Sequence, residues 1–199
     1  MVHGTQEQVF FNKYYGGYCY APLYIFCGKH LLAAKLRPSN IDPASGALEE
    51  LQRVIKQIRN SWSNVDIIVR GDSAYSREDI MAWCESQHRI DYVFGFSKNS
   101  RLMKMTTEVQ NRAKQEYSPK LSPVINFLET LFTPDDELFN QASELIDSSI
   151  WYRSIDYRTL NSWSRNRRVV SKVEYSAKGC NVRFVVTSLT TKQVPAKSK

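Results

Sequence analysis

One carboxylate of this chain directly follows a short apolar segment. Asp72 ends the run Ile67-Ile68-Val69-Arg70-Gly71-Asp72, which we interpret as a buried strand and the first residue after it. A carboxylate at the C-terminal end of a strand lies at the open edge of an α/β sheet, where ligands and metal ions bind. Asp72 is therefore the first candidate for chemistry. A turn-forming or helix-capping aspartate is the alternative.

The elements around Asp72 are predicted from the pattern of apolar and capping residues. Ile67–Val69 is all apolar, which predicts a strand covered on both faces. Asp42-Pro43 predicts the start of a helix that ends near Asn60. The 3.6-residue period predicts its apolar face, which consists of Leu48, Leu51, Val54, Ile55 and Ile58. Ser76 and Asp79 resemble a capping box at the start of the next helix. A hairpin over 18–37 that turns at Gly28-Lys29, a strand over 91–97 and a helix over 100–115 complete a mixed α/β layer, in the order β-β-α-β-α-β-α.

The predicted secondary structure changes after Tyr117. Residues 124–132 and 134–147 each show the period of an amphipathic helix. Three strands are predicted from Trp151 to Leu189, and a frayed tail follows Thr190. The predicted organisation is an α/β part over 1–117, a helical connection over 118–149, a β-rich basic module over 150–190 and a disordered tail over 191–199.

The excess positive charge lies near the end of the chain. Residues 150–199 carry 11 lysines and arginines against 2 acidic residues, whereas the whole chain has a net charge of +7. A basic segment indicates a polyanionic partner, most often nucleic acid. The candidates for phosphate contacts are Lys98, Asn99 and Arg101 after the 91–97 strand, and Arg165, Arg167 and Arg168 beside Trp163, which is also a candidate for stacking on an unpaired base. Simple solvation is the alternative for both groups.

Tyrosine is concentrated near the start of the chain, at Tyr14, Tyr15, Tyr18, Tyr20 and Tyr24. Aromatic residues are common in strands, where they pack against their cross-strand neighbours. We therefore predict that this cluster packs within strands rather than forming a platform on which bases stack.

Several other classes of protein are disfavoured. The cysteines Cys19, Cys27, Cys84 and Cys180 are widely spaced, and no histidine lies at metal-ligand spacing from any of them. This pattern disfavours a zinc site and a disulfide scaffold and favours buried reduced thiols. No apolar run approaches the roughly 18 residues that a membrane span requires, and no secretory signal is visible. We expect a cytoplasmic protein with no membrane partner.

Eight short blocks of sequence follow one another along the chain. They are His3-Gly-x-Gln-Glu7, Tyr18-Cys-Tyr-x-Pro-Leu-Tyr-Ile-Phe-Cys-Gly28, Leu36-Arg-Pro-Ser-Asn-Ile-Asp42, Arg70-Gly-Asp-Ser73, Met81-Ala-Trp-Cys-Glu85, Tyr92-Val-Phe-Gly-Phe-Ser-Lys-Asn-Ser-Arg-Leu102, Asn161-Ser-Trp-Ser-Arg-x-Arg-Arg-Val-Val170 and Arg183-Phe-Val-Val-Thr-Ser-Leu189. Together they resemble bacterial insertion-sequence transposases of the DDE class. The resemblance covers nearly the whole chain.

The resemblance implies a fold, a chemistry and a partner. The fold is a ribonuclease-H-like mixed sheet with flanking helices and a β-rich basic insert. The partner is DNA, both the ends of the mobile element and the target, which such enzymes cleave and join. Three carboxylates of the family hold two Mg²⁺ or Mn²⁺ ions, which stabilise the attacking and leaving oxygens. By its position, Asp72 matches the second of these carboxylates.

The resemblance places the other two carboxylates outside residues 1–199. The first belongs on a strand just before His3 and the third on a helix after the insert, so we expect a chain truncated at both ends and lacking its first strand. Without that strand, residues 18–28 and 66–71 are each expected to present an unpaired edge. We expect a catalytically inactive fragment that does not bind Mg²⁺ tightly. The alternative is a residual DNA-binding module that associates with itself or with an intact transposase and inhibits it.

Overall fold

The first unit of the fold contains two β-hairpins. The computed structural model describes residues 7–117 and 148–193, and the chain divides into two compact units, Met1–Tyr92 and Val93–Lys199. In the first unit, β1 (Phe10–Asn12) pairs with β2 (Gly17–Cys19), and β3 (Leu23–Cys27) pairs with β4 (His30–Lys35), both in antiparallel fashion. The predicted turn at Gly28-Lys29 is confirmed.

Pro22 predicts that the first strand of the 18–37 hairpin is irregular near its start, and residues 18–28 indeed contribute to two strands. β2 ends at Cys19 and β3 begins at Leu23, so the break includes Pro22. Proline has no N–H to donate to a strand ladder, and it therefore favours an interruption at this point.

Helix α1 (Ala47–Ser61) begins later than predicted. The expected start at Asp42-Pro43 is wrong, because Asp42 forms a turn in which its Oδ1 accepts a hydrogen bond from the N–H of Ala44 at 2.8 Å. Gly46 then has a φ of 73°, a left-handed conformation that a continuous right-handed helix does not contain. The predicted apolar face is confirmed, since Leu51, Val54 and Ile55 are buried.

Asp72 lies between a strand and a helix, as predicted. β5 (Ile67–Gly71) is followed by a 3₁₀ turn at Ser73–Tyr75 and by helix α2 (Glu78–Ser86). The expected cover on both faces of the strand is wrong, because Ile68 is 54% exposed. The predicted capping box is also wrong: Arg77 occupies the N-cap position of α2, and the hydroxyl of Ser76 donates instead to the carbonyl of Ser73 at 2.8 Å.

The second unit is dominated by antiparallel strands. β6 (Ile90–Phe96), which begins at the end of the first unit, leads to helices α3 (Ser100–Met105) and α4 (Thr107–Glu116). After residues 118–147, β7 (Ser149–Tyr157), β8 (Arg167–Ser176) and β9 (Gly179–Thr187) pair in succession, and β9 also pairs with β6. The three strands predicted in this region are confirmed. The helices predicted over 124–132 and 134–147 lie outside the described residues, as does the predicted tail from residue 194 onward.

The single helix predicted over 100–115 is divided at Thr106. This buried residue uses its hydroxyl to donate to the carbonyls of Leu102 and Met103, at 3.1 and 3.0 Å. A side chain that bonds back to the preceding turn competes with the regular helical bonds and bends a helix. The interruption therefore has a local cause.

Five strands form one sheet, in the order β5-β6-β9-β8-β7. The mixed α/β class predicted from the sequence is therefore confirmed at this level. β5 lies at an edge of the sheet, and in the part of the chain that the structure describes β3 pairs with β4 and not with β5. None of the described helices is long and apolar enough to span a bilayer. The division at 117, 149 and 190 stays a prediction.

The core of the second unit lies on one face of the β7-β8-β9 strands. Alternate residues of β8 are buried, including Val169, Ser171 and Val173, as the two-residue period of a strand requires. Helix α4 packs against β7 and β8, and the guanidinium of Arg112 lies 3.9 Å from the centroid of the Trp151 ring. This cation–π contact helps to hold the helix to the sheet.

The first unit buries a guanidinium and a thiol that bear on its stability. Arg37 is buried, and its guanidinium donates to the carbonyls of Ala21, Pro43 and Ser45 at 2.7–3.0 Å. Cys84 is fully buried, and this burial raises the pKa of its thiol to about 12. The expectation of buried thiols is therefore confirmed for Cys84 and wrong for Cys27 and Cys180, which are exposed.

The first prediction concerns the Arg37 contacts. We expect Arg37→Ala to lower the free energy of unfolding by about 3 kcal/mol, because three carbonyls lose their donor at a buried position. Urea denaturation followed by circular dichroism measures the change. The control is Arg53→Ala, which removes an exposed pair with Glu50 at 2.9 Å and should cost less than about 0.5 kcal/mol. Equal losses in the two variants would contradict the assignment.

The second prediction concerns Asp66, whose carboxylate accepts two hydrogen bonds from Arg89 at 2.7 Å. These bonds, opposed by partial burial, hold the pKa of Asp66 below its usual value. Because the pKa of Asp66 is lower in the folded chain, the Asp66–Arg89 pair stabilises the fold at pH values above the pKa that Asp66 has in the unfolded chain. This stabilisation disappears as the pH falls through the pKa that Asp66 has in the folded chain. The difference in urea midpoint between the native chain and Asp66→Asn should therefore shrink on acidification below about pH 4. A difference that stays constant over that range argues against this role.

Candidate functional site

Asp72 caps a turn, which is one of the two alternatives that its sequence position left open. It directly follows β5, and its Oδ1 accepts a hydrogen bond from the N–H of Ala74 at 2.8 Å, which caps the 3₁₀ turn. The side chain is exposed, and no described residue donates a hydrogen bond to its Oδ2. The turn thus holds the carboxylate in place through one oxygen, while the other oxygen remains available to a ligand.

The turn after Asp72 is held by an arginine that the sequence analysis did not single out. Arg77 donates through Nε to the carbonyl of Ala74 at 3.0 Å and through Nη2 to Oδ2 of Asp42 at 2.7 Å. Asp42 belongs to the turn that precedes α1, so Arg77 joins that turn to the one after β5. The two residues are 35 positions apart, and neither has a local pattern that indicates the pairing.

The described residues do not supply a complete site for a divalent cation. They contain no group of three or more His, Cys, Asp or Glu side chains arranged to hold a metal ion. Mg²⁺ prefers several oxygen ligands in octahedral geometry and retains much of its water when fewer are offered. Asp72 fits as one oxygen ligand, but the set as described does not fit a bound ion. We therefore derive no catalytic step through a metal.

The first group of predicted phosphate contacts lies at the start of α3. Asn99 caps this helix, and its Oδ1 accepts hydrogen bonds from the N–H of Leu102 at 2.9 Å and from the hydroxyl of Tyr157 at 3.4 Å. Arg101 donates to the carbonyl of Arg158 at 3.0 Å and lies 5.0 Å from the centroid of the Tyr157 ring. Lys98 is exposed. Asn99 and Arg101 therefore stabilise the fold, and Lys98 is the member best placed to reach a phosphate.

The second group surrounds an aromatic cluster of Phe96, Tyr157 and Trp163, whose ring centroids lie 4.9–5.9 Å apart. Trp163 is only 3% exposed, which contradicts the suggestion that it stacks on an unpaired base. Arg167 is 4% exposed and lies 5.5 Å from the centroid of the Trp163 ring, so its burial argues against contact with a phosphate.

The neighbours of Arg167 differ in their exposure to solvent. Arg168 donates to the hydroxyl of Ser154 at 3.0 Å and to the carbonyl of Leu189 at 2.7 Å, so it fastens β8 to its surroundings. Arg165 is exposed in the loop between β7 and β8. Of the second group, Arg165 is therefore best placed to contact a ligand.

A family model described as "Transposase DDE domain group 1" matches residues 1–198, which is nearly the whole chain. No curated protein and no solved structure matches the chain.

The third prediction separates the charge of Asp72 from its capping role. We expect Asp72→Ala to destabilise the fold by about 1 kcal/mol, because the N–H of Ala74 loses its acceptor. Asp72→Asn should leave the stability nearly unchanged, since its amide oxygen accepts the same bond. Thermal or urea denaturation of the two variants checks this. If asparagine destabilises the chain as much as alanine does, the charge itself is required for folding.

Proposed function

The chain belongs to the family of transposase DDE domains, and we propose that Asp72 is one of the carboxylates with which this family binds its divalent cations. The function of the chain is accordingly related to DNA transposition. The observation that carries the proposal is the position of Asp72 directly after β5, in a turn that occupies only one of its carboxylate oxygens. A carboxylate at the end of a strand, fixed by its own backbone, is preorganised to receive a cation.

The proposed activity of the complete enzyme is metal-dependent cleavage and transfer of DNA strands. In that chemistry two ions stabilise the attacking and the leaving oxygen of an in-line displacement. Asp72 would supply one oxygen ligand, and the resemblance places the other two carboxylates outside residues 1–199. The polypeptide of residues 1–199 alone would therefore be catalytically inactive and would bind Mg²⁺ or Mn²⁺ weakly.

The proposal also assigns parts of the chain to the family's fold. Residues 1–117 would form part of a ribonuclease-H-like core, 118–149 a connection, and 150–190 the β-rich basic insert. Two facts support this assignment: β5 and α2 flank Asp72, and β7, β8 and β9 form a continuous antiparallel ladder.

The proposed contacts with DNA follow from exposure and charge. Lys98 and Arg165 are exposed cations on different segments of the second unit and would bind phosphates directly. Asn99, Arg101 and Arg168, whose polar groups already bond within the fold, would hold the segments that carry them. The basic composition of residues 150–199 supports a DNA partner, either the element ends or the target.

The fourth prediction tests DNA binding through its salt dependence. Affinity of the polypeptide for duplex DNA should fall with salt, and the log–log slope should decrease in magnitude by about 0.9 for each phosphate contact that a substitution removes. Lys98→Ala and Arg165→Ala should each reduce the slope. Lys114→Ala, at the end of α4, serves as the charge-matched control and should reduce it less. A slope near zero for the native chain would contradict phosphate contact altogether.

Catalytic inactivity has its own test. The polypeptide is incubated with supercoiled plasmid and Mn²⁺, and nicking is compared between the native chain and Asp72→Asn. We expect no nicking by the native chain above the level of the variant. Nicking that Asp72→Asn abolishes would show that residues 1–199 form a working site and would overturn the proposed inactivity.

One observation favours the alternative of an inhibitory module. β5 lies at an edge of the sheet, and Ile68 in its middle is exposed. Exposed apolar edge strands pair with strands of other chains. In this alternative, adding the polypeptide would slow DNA cleavage by an intact transposase of the family, and Ile68→Lys would relieve the inhibition. Equal inhibition by both forms would exclude the edge of β5 as the contact.

A further inference from the structure

The tyrosines near the start of the chain do not pack in the way the sequence predicts. Tyr14 and Tyr15 lie at the tip of the β1–β2 hairpin and are 88% and 71% exposed. Phe11 and Tyr18, which are paired across the two strands, are each more than half exposed. The expected packing within strands is therefore wrong for Tyr14 and Tyr15, whereas Tyr18 packs against Phe11 across the hairpin. We call these four residues the hairpin aromatics.

The hairpin that carries these rings is itself well anchored. The N–H of Tyr14 donates to Oδ1 of Asn12 at 3.0 Å, and Gly16 adopts a φ of 62°, so a side-chain cap and a left-handed glycine build the turn. At the base of the hairpin, the hydroxyl of Ser39 donates to the carbonyl of Phe10 at 2.9 Å, and the hydroxyl of Tyr20 donates to the carbonyl of Glu7 at 2.7 Å. The rings are thus presented by a defined turn.

The hairpin aromatics form two pairs of rings. Tyr14 and Tyr15 meet edge to face with centroids 5.0 Å apart, and Phe11 and Tyr18 do so at 5.7 Å. In an edge-to-face pair at least one ring keeps a face open to further stacking. Burial of exposed rings of this size would provide a large favourable contribution to binding.

The charge around the hairpin indicates which partner would cover it. From Gln8 to Ile41 the chain contains no Asp or Glu and contains four lysines and arginines. Two of these, Lys13 and Lys29, are exposed and make no ion pair within the described residues, whereas Lys35 contacts Glu50 at 3.5 Å and Arg37 is buried. Exposed rings next to the cation Lys13, on a segment without acidic residues from Gln8 to Ile41, match a ligand with flat apolar faces and a polyanionic backbone. Single-stranded nucleic acid has this chemistry.

We propose that the β1–β2 hairpin binds unpaired nucleotides, with Tyr14 and Tyr15 stacking on bases and Lys13 contacting the phosphate backbone. This site deepens the proposed function and rests on it, because it identifies single-stranded DNA as a ligand of a chain whose family acts on DNA. It is separate from Asp72 and requires no metal ion.

The test compares single-stranded and duplex oligonucleotides by fluorescence anisotropy. The double variant Tyr14→Ala, Tyr15→Ala should bind single-stranded DNA at least about tenfold more weakly, because removing even one stacked ring lowers affinity by about that factor. Its affinity for duplex should change by less than about twofold, because paired bases have no free faces to stack on the rings. Tyr14→Phe, Tyr15→Phe retains the rings and should bind like the native chain. Tyr152→Ala, an exposed tyrosine of β7, controls for removal of a tyrosine elsewhere.

A second readout reports stacking directly. An oligonucleotide that carries 2-aminopurine should lose fluorescence on binding to the native chain and to the phenylalanine variant, and should lose much less on binding to the alanine variant. Lys13→Ala should reduce the salt slope for single strands by about 0.7. These variants alter exposed side chains, so circular dichroism should be unchanged.

Four outcomes would overturn the proposal. The first is an alanine variant that binds single strands like the native chain, and the second is a phenylalanine variant that loses as much affinity as the alanine variant. The third is self-association of the native chain but not of the alanine variant in sedimentation, with equal DNA affinity, in which case the hairpin is an interface between copies. The fourth is a native chain that binds neither single strands nor duplex, in which case the proposed function fails together with the hairpin site. If the native chain still binds duplex, only the proposed hairpin site fails.

Discussion

The position of Asp72 depends on a series of polar contacts that begins at the buried guanidinium of Arg37. Three backbone carbonyls from two separate segments accept hydrogen bonds from this side chain, which fixes the turn before α1. Asp42 starts that turn and pairs with Arg77, which also bonds to the carbonyl of Ala74. The N–H of Ala74 in turn donates to the carboxylate of Asp72. Because a buried acceptor that loses its donor costs considerable free energy, this series constrains where the candidate carboxylate lies.

The second unit shows how a basic composition is divided between the fold and the surface. Arg101, Arg112 and Arg167 each lie over an aromatic ring, and Arg168 bonds to a hydroxyl and a carbonyl. A guanidinium suits these places because it is planar, weakly hydrated and rich in donors. Arg167 and Arg168 belong to residues 150–199, so the net charge of that segment overstates the number of its exposed cations. Exposed cations such as Lys98 and Arg165 matter more to the proposed contacts than the total net charge of the segment does.

The proposed role of Asp72 is that of a single oxygen ligand, and the proposal leaves the other ligands of the metal ions to other residues. A single aspartate is a weak site for Mg²⁺, since that ion dehydrates reluctantly and needs near-octahedral oxygen donors. The proposed inactivity of the polypeptide and its proposed affinity for DNA are thus compatible. The exposed rings of the β1–β2 hairpin add a surface whose chemistry suits bases, and they lie on a turn that does not depend on any metal.

Local sequence pattern alone was sufficient to predict several elements of the fold. The apolar run before Asp72 predicted β5, the 3.6-residue period predicted the buried face of α1, and the blocks of the family predicted the match over residues 1–198. Each of these depends on residues that are close in sequence, where propensity and periodicity act directly. Gly28-Lys29 predicted its turn for the same reason.

Only the tertiary structure decided which side chains face solvent and which long-range partners meet. Nothing local distinguishes Arg167, which is buried against Trp163, from Arg165, which is exposed, and nothing local pairs Asp42 with Arg77. The tyrosines at the hairpin tip were expected to pack because aromatic residues favour strands, but packing requires a neighbouring surface, and that is a property of the whole fold. The sequence by itself determined that Asp72 directly follows a strand, and the folded chain decided which contacts hold it there.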